Sequence, residues 1–436
     1  MRTTDKSKDI IDFEKNANKL KSHVDKEEQQ KLHFHFDRNG NVKANSLYNI
    51  ELILENDPEL QGMFKFNEFT NEIDVVKSSK KMLIKPGQLK DTYIDEIASY
   101  IERNKDDYRN VLFDNKHIRS ALNVVAARHQ YNPVTDYFND AVKHYDGESH
   151  IENFFTKWLG VEPTPVTMLI AKIWFVGGVA KAYDPTCKFD FVLDLVGGQG
   201  AGKTTILQKL APCGYYTDQF STFDNKDDFA VMRRNLIVND DEMTATNNSS
   251  FEILKKFVTL QVFEYRKPYG HQSERFPKGF IMARTTNNLY YLKDKTGERR
   301  FLPLLVDKNK QQFNPVTELT SEDVRQVWGE AVQMYQNDDY SFDLTAEQQA
   351  MLDDHRKNFM YTDTLEDSIA DALDNDWKNV DFLSSDTIGL KVAAGVNLAK
   401  NRKLSNQISN IMINRFGWRK GRKKIHGETK RGYLRR

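Results

Sequence analysis

The sequence predicts an α/β protein: a mostly parallel, buried sheet in the middle, a mainly helical segment before it and a small basic unit after it. Three observations carry that expectation. From Phe189 onward, short apolar runs ("FDFVLDLVG", "NLIVNDDE", "GFIMARTTNN") alternate with helical stretches such as "SSFEILKKFVTL". Apolar runs bounded by turns and lacking a polar face are strands covered on both sides. Upstream, apolar residues recur at helical spacing instead. Downstream, residues 397–436 hold thirteen Lys and Arg against one acid, Glu428. The first 396 residues keep 50 bases against 62 acids, a net charge of −12, so the overall balance of zero hides a cationic end on an acidic body.

At 436 residues the chain has room for about three domains of ~150 residues. The expected division is 1–160, mainly helical; 161–345, the sheet domain; and 346–436, a helical linker leading to the basic unit. Within the first, "FHFDRNGNV" predicts a short strand and a turn at Asn39-Gly40. The His33-x-His35 pair lacks further ligands and is taken as two strand residues facing one side. "NSLYNIELILENDPEL" predicts a helix ended by Asp57-Pro58, and "HIRSALNVVAARHQYNPVTDYF" a second stopped at Asn132-Pro133. "SHIENFFTKWLG" predicts a third, closed by Gly160, with only one or two short strands before it. Val166–Tyr183 is the most apolar stretch, but Lys172 and Lys181 interrupt it, so it is expected to be a buried helix and not a membrane span.

After Val306 the chain turns helical and acidic in "AEQQAMLDDHRKNFM" and "TLEDSIADALDND". Two short helices, "DTIGLKVA" and "LSNQISNIMINRF", lead into "GWRKGRKKIHGETKRGYLRR", whose turn glycines between charged runs suggest a β-wing. Cys187 and Cys213 are the only cysteines, which excludes a disulfide framework and an all-cysteine zinc site. The N-terminus has no apolar run of the secretory kind. A cytoplasmic protein without a membrane segment is expected.

The chemistry centres on "FVLDLVGGQGAGKTTILQKL". Gly197, Gly198, Gly200, Ala201, Gly202, Lys203, Thr204 and Thr205 fit a phosphate loop set between a strand and a helix. Glycines let backbone N–H groups converge on phosphate oxygens, and the helix N-terminus adds partial positive charge. Lys203 would reach the outer phosphates, and the Thr204 hydroxyl would ligate Mg²⁺. "NLIVNDDEM" supplies carboxylates at a strand end: Asp241 for the Mg²⁺ shell and Glu242 to orient and deprotonate a water. The competing reading is a plain acidic turn. "GFIMARTTNN" ends in Asn287-Asn288, where Asn287 could position that water or sense the terminal phosphate. "TGERRF" places Arg299 and Arg300 before another apolar run, suited to meeting charge that develops on a transferred phosphoryl group; a surface arginine pair is the alternative. Between the acids and the asparagines, Arg266, Lys267, His271, Arg275 and Lys278 are interleaved with Tyr265, Tyr269 and Phe276, a composition suited to single-stranded nucleic acid. The basic tail, with Arg419, Lys420, Arg422, Lys423 and Lys424, would contact duplex or origin DNA; a solvated tail has the same composition.

Together the glycine loop, the Asp241-Glu242 pair, "YRKPYG", "TTNN" and "TGERRF" resemble the virulence-associated E family of phage and pathogenicity-island proteins, with weaker likeness across residues 40–310. The resemblance implies an AAA+-like P-loop core, similar to superfamily three helicases, that hydrolyses ATP in a homo-oligomeric, six-membered ring and unwinds DNA for a mobile element in the bacterial cytoplasm, alongside replication proteins. On it, Lys203, Thr204 and Asp241 bind ATP and Mg²⁺, Glu242 activates water, Asn287 senses the terminal phosphate, and Arg300 (or Arg299) is the finger offered to a neighbouring subunit. The family usually has an acid where Asn239 stands, and no Asp-x-Asp palm precedes residue 160, so primer synthesis is not expected. An origin-binding loader without processive unwinding and a small-molecule kinase are the alternatives.

Overall fold

A computed structural model describes residues 32–104, 108, 111–265, 272–292, 298–360, 364–378, 380–392, 401–425 and 428–435. The first pairing among the described residues is a bridge between Phe36 and Val42 across the Asn39-Gly40 turn. Helix α1 (Leu47–Asn56) follows, N-capped by the Ser46 side chain and ended at Asp57. Strands β1 (Phe64–Asn67), β2 (Glu72–Val75) and β3 (Gly87–Gln88) come next, then α2 (Asp91–Arg103), α3 (Asn115–Arg128) and β4 (Gln130–Tyr131). The four strands make one sheet in the order β3-β2-β1-β4, so this region holds more strand than its helical spacing implied. The strands are two to four residues long, too short for period-two patterning to register. Helix α3 ends at Arg128, before Asn132-Pro133. That pair starts the next helix, α4 (Pro133–Lys143), with Asn132 as the N-cap and Pro133 in the first turn, where its missing N–H costs nothing.

Helices α5 (Ile151–Leu159) and α6 (Pro165–Tyr183) follow. Gly160 closes α5 in the left-handed region, as expected. Although α4 and α5 precede residue 160, their buried faces join the core of the large sheet. Helix α6 is long and apolar enough to cross a membrane, but most of it is buried inside the protein.

The large sheet is built from β5 (Val192–Val196), β6 (Tyr216–Thr217), β7 (Ile237–Asp240), β10 (Ile281–Thr286) and β11 (Phe301–Leu305) in the order β11-β5-β10-β7-β6. Every neighbouring pair is parallel. One face packs on α4, α5, α6, α7 (Lys203–Leu210), and α11 (Ser321–Gln336). The other packs on α8 (Lys226–Met232), α9 (Thr244–Asn248), α10 (Phe251–Thr259) and the antiparallel hairpin of β8 (Val262–Tyr265) and β9 (Glu274–Pro277). Arg233 ties both strands of this hairpin to the small sheet. It donates to the Tyr265 hydroxyl at 2.5 Å and the Thr70 carbonyl at 2.8 Å, and lies over the Phe276 ring.

Beyond α12 (Ala346–Lys357), a separate apolar cluster gathers α13 (Thr364–Asp374), β12 (Phe382–Ser384), α14 (Ser385–Val392), α15 (Arg402–Asn410) and the hairpin β13 (Arg419–Ile425) and β14 (Glu428–Leu434). The sheet order is β12-β14-β13, antiparallel throughout. The basic tail is thus a hairpin, as its glycine spacing suggested.

Lys278 departs from its expected role. It is buried, with Nζ donating to the Val258 carbonyl at 2.7 Å at the C-terminus of α10 and lying near the Phe257 and Phe280 rings. A lysine held inside the core by helix-end carbonyls cannot contact a polymer. Burial, with buried Lys181 nearby adding to it against Asp190, pushes its pKa down to about 7. The charged form is penalised only in the folded state, so stability rises with pH from about 7 to the unfolded value near ~10.4. The Tm advantage of Lys278→Met over the parent should be largest at about pH 6 and shrink toward about pH 10; thermal melts across that range check it, and a constant offset would show that Lys278 titrates alike in both states.

Candidate functional site

Strand parity builds the site. In β10, Ile281 and Ala283 face α7, and so do Thr285 and the following Asn287; Met282, Arg284 and Thr286 face the α9–α10 side. In β7, Ile237 faces α7, and Asn239 and Asp241 continue on that side, while Val238 and Asp240 point the other way. The register pairs Arg284 with Asp194 on one side and with Asp240 on the other. All the strand ends that carry polar residues therefore finish at the same edge, the carboxyl edge where open parallel sheets hold ligands.

At that edge, β5 runs into the glycine loop and the loop into α7. Gly202 sits at φ 79°, and a Cβ there would lie 2.5 Å from Pro315. At Gly197 a Cβ would lie 2.4 Å from the Val306 carbonyl oxygen. Gly198 faces open space. Half-buried Thr205 follows in the first turn of α7.

Lys203 is buried, and its Nζ donates to the Gly197 and Gly198 carbonyls at 2.7 and 2.9 Å and to Asn287 Oδ1 at 3.0 Å. Burial lowers its pKa, opposed by the charges of Glu242 and Asp241. The Asn287 amide turns its nitrogen to both Glu242 carboxylate oxygens at 3.3 Å. Only this amide orientation serves a cation on one side and a carboxylate on the other.

Thr204 Oγ1 donates to Asp241 Oδ1 at 2.7 Å, and Thr285 Oγ1 to the same oxygen at 2.8 Å. Thr285 also accepts the Glu242 backbone N–H at 2.9 Å, and Glu242 and Met243 both sit at φ 52°. Two consecutive non-glycine residues in the left-handed region are strained. The strain is held by Asp240, which accepts from the Ala245 and Thr246 N–H groups at 2.8 and 2.9 Å and from the Thr246 hydroxyl. Burial raises the Asp240 pKa and its hydrogen bonds oppose that. Asp240 is structural, which "NDDE" alone does not reveal: it is the one acid whose parity turns it from the loop.

A Mg²⁺ ion fits the donor set. Thr204 and Asp241 present hard oxygens side by side, and the buried Asn239 Oδ1 has no hydrogen-bond partner among the described residues while its Nδ2 donates to Asp241 and Tyr216. Among the described residues no group of three His, Cys, Asp or Glu would cage a metal alone.

The remaining expected residues lie apart. Arg299 is exposed and Arg300 is 3.6 Å from Asp190; both precede β11, at the amino edge opposite the glycine loop. Arg275 is exposed on β9 and pairs with Glu264 across the hairpin. Arg266, Lys267 and His271 lie outside the described residues. Arg419, Lys420, Arg422, Lys423 and Lys424 are all exposed on β13. Sequence reasoning missed Thr285, Asp240 and the pair Arg284–Asp194. Arg284 Nε and Nη2 meet the two Asp194 oxygens at 2.7 and 2.6 Å in full burial, beneath the Tyr291 hydroxyl and against the Phe301 ring. An arginine and an aspartate inside otherwise apolar strands were the available signal.

A glycine loop running into a helix thus faces acidic and asparagine strand ends at one edge of a parallel α/β sheet. The match of residues 139–361 to the virulence-associated protein E-like domain makes the chain a member of that family. The match begins at residue 139, within α4, and runs past β11 and the whole of α12. No curated protein matches the chain. Among solved structures, the A form apo structure of the NrS-1 C-terminal region is similar at TM-score 0.43 and 10% identity, covering 86% of this chain and 96% of that one. Two further structures of the same region give TM-scores of 0.39 and 0.42 at 11% identity, with the same coverage.

Removing one member of a buried ion pair strands the other's charge, at a cost of about 3–5 kcal/mol. Asp194→Asn should therefore cost roughly that in urea denaturation, and the double variant Asp194→Leu/Arg284→Met should cost clearly less. Equal losses in the two would mean that shape and not charge matters at this pair.

Proposed function

We propose that the chain is an ATP-driven DNA helicase of a phage or mobile element, working as a ring. The observation that carries it is the convergence at one sheet edge of Lys203, the Thr204–Asp241 pair and the Asn287–Glu242 bridge. Lys203 would hold the outer phosphates, and Thr204 and Asp241 would hold Mg²⁺, which supplies charge neutralisation across the phosphates. Glu242 accepts the proton of the attacking water, and Asn287 fixes the carboxylate relative to Lys203. A kinase acting on a small acceptor has no need for a water-directed glutamate held in strained backbone.

The arginines support assembly. Arg299 and Arg300 sit at the opposite edge from their own loop, out of reach of its phosphates, which is the placement a finger offered to a neighbouring subunit requires. Exposed Arg299 is the better placed finger, because Arg300 is engaged by Asp190.

DNA contact is supported by the β13–β14 register. Arg422 faces Arg431 and Lys423 faces Lys430 directly across the ladder. Like charges directly opposed destabilise a hairpin, and a polyanion relieves them. The fold of this unit, helices against a three-stranded sheet with a basic hairpin, supports a winged-helix reading.

The deciding experiment measures ATP turnover with and without single-stranded DNA, together with strand displacement. Stimulated hydrolysis with unwinding is expected; stimulation without unwinding would favour the loader, and a phosphorylated small product the kinase. Lys203→Ala should abolish turnover, whereas Glu242→Gln should bind ATP and fail to hydrolyse it, with a loss of about 10²–10⁴.

Arg422→Glu/Lys423→Glu should have opposite effects on two readouts. Each new cross-strand ion pair stabilises the hairpin by about 0.2–1 kcal/mol, while DNA affinity drops and its salt dependence flattens. Binding curves at two salt concentrations and a thermal melt check both; unchanged affinity would return the hairpin to a solvated surface.

A further inference from the structure

We propose that Lys308 is a second cation of the nucleotide site, meeting the terminal phosphate from the open side of the glycine loop, opposite Lys203. This rests on the reading of that loop as the phosphate site. Nothing in the loop's own motif contains Lys308; the fold brings it there.

The segment after β11 is strapped over the loop. Val306 N–H donates to the Val196 carbonyl at 2.7 Å, and its own carbonyl presses on Gly197. The Asp307 N–H donates to the Leu159 carbonyl at 3.1 Å, and Gly160 has no side chain because a Cβ there would lie 2.1 Å from the Asp307 carbonyl oxygen. The Asp307 side chain caps the single helical turn Lys308–Lys310. Gln311 Nε2 then donates to the Ala201 carbonyl at 2.7 Å, and Pro315 packs on Gly202. Lys209, on α7, holds the far end through the Pro315, Val316 and Leu319 carbonyls at 2.8–3.0 Å. The strap thus touches the loop at Gly197, Ala201 and Gly202, so its position is fixed relative to the phosphates the loop would cradle.

Lys308 sits in the middle of this strap. Its Nζ is 3.6 Å from where a Cβ on Gly200 would be. The side chain is exposed, and among the described residues it has no ion-pair partner, whereas Lys310 two residues on is paired with Glu162 at 2.9 Å. The two lysines near the loop divide by depth: Lys203 is buried beneath it and Lys308 stands at its rim. Mg·ATP keeps net negative charge after one lysine and one metal ion, and an unpaired ammonium at the rim is the group placed to meet it.

The test is calorimetric titration of the full chain with Mg²⁺ and either a non-hydrolysable imido analogue of ATP or ADP. Lys308→Ala should weaken the triphosphate about tenfold or more and ADP by less than about twofold, with the parent Tm retained; Lys308→Arg should restore the triphosphate affinity. Unchanged affinity for the triphosphate, or equal loss for both nucleotides, overturns the assignment. Binding by the parent that Lys203→Ala abolishes but Lys308→Ala leaves intact would refute Lys308 alone. Failure of the parent to bind either nucleotide would refute the reading of the loop, and Lys308 with it.

Discussion

The buried pair of Arg284 and Asp194 is the constraint on which the rest of the site depends. It lies between β10 and β5, with Asp240 in register on the far side of Arg284. Sliding either strand by one residue would turn these charges into the α7 face and send apolar residues to the wrong layer. Each such slip would leave an uncompensated charge in the core. The row therefore fixes how far β5, β10 and β7 extend before they end, and hence where Gly197, Asn287 and Asp241 emerge. Asp240 adds the second task of capping the turn that follows, where Glu242 and Met243 are held in unfavourable backbone. The carboxylate and the amide meet because the charges two and three residues earlier, Asp240 and Arg284, are already aligned.

What was legible in the sequence was local or periodic. The loop from Gly197 to Thr205 is contiguous, and its strand and helix adjoin it. The apolar runs of β5, β7, β10 and β11 declare a buried parallel sheet because no polar face interrupts them. Asp241 and Glu242 could be nominated from position, but their separation from Asp240 is a matter of parity, which needs the strand's true start. Lys278 looked like a surface base because the residues around it are basic; only the fold puts it under the end of α10. Asn132-Pro133 was ambiguous for a chemical reason: the same dipeptide can follow one helix or begin another. The strands β1 to β4 were hidden by brevity. Lys308 was invisible for a different reason: its relation to Gly200 is a contact between distant segments, made by the return of β11 beside β5.

The small sheet is tied to the large one through a few groups. Arg233 spans from the Thr70 carbonyl to Tyr265, Arg234 pairs with Glu72 at 2.6 Å, and Asn67 donates to the Tyr215 hydroxyl at 2.9 Å. Tyr216, the next residue, meets Asn239 beside Asp241. Both strands of the β8–β9 hairpin and the back of the site thus share supports with the N-terminal region.

The facing arginines and lysines of β13 and β14 make ionic strength act on this unit in two opposed directions. Added salt screens their mutual repulsion and tightens the free hairpin, while it would weaken the binding of any polyanion there. Free and bound states thus trade advantage as counterions are added. A cation crowd of this kind is therefore stiffest at high ionic strength, where its hold on any polyanion would be weakest.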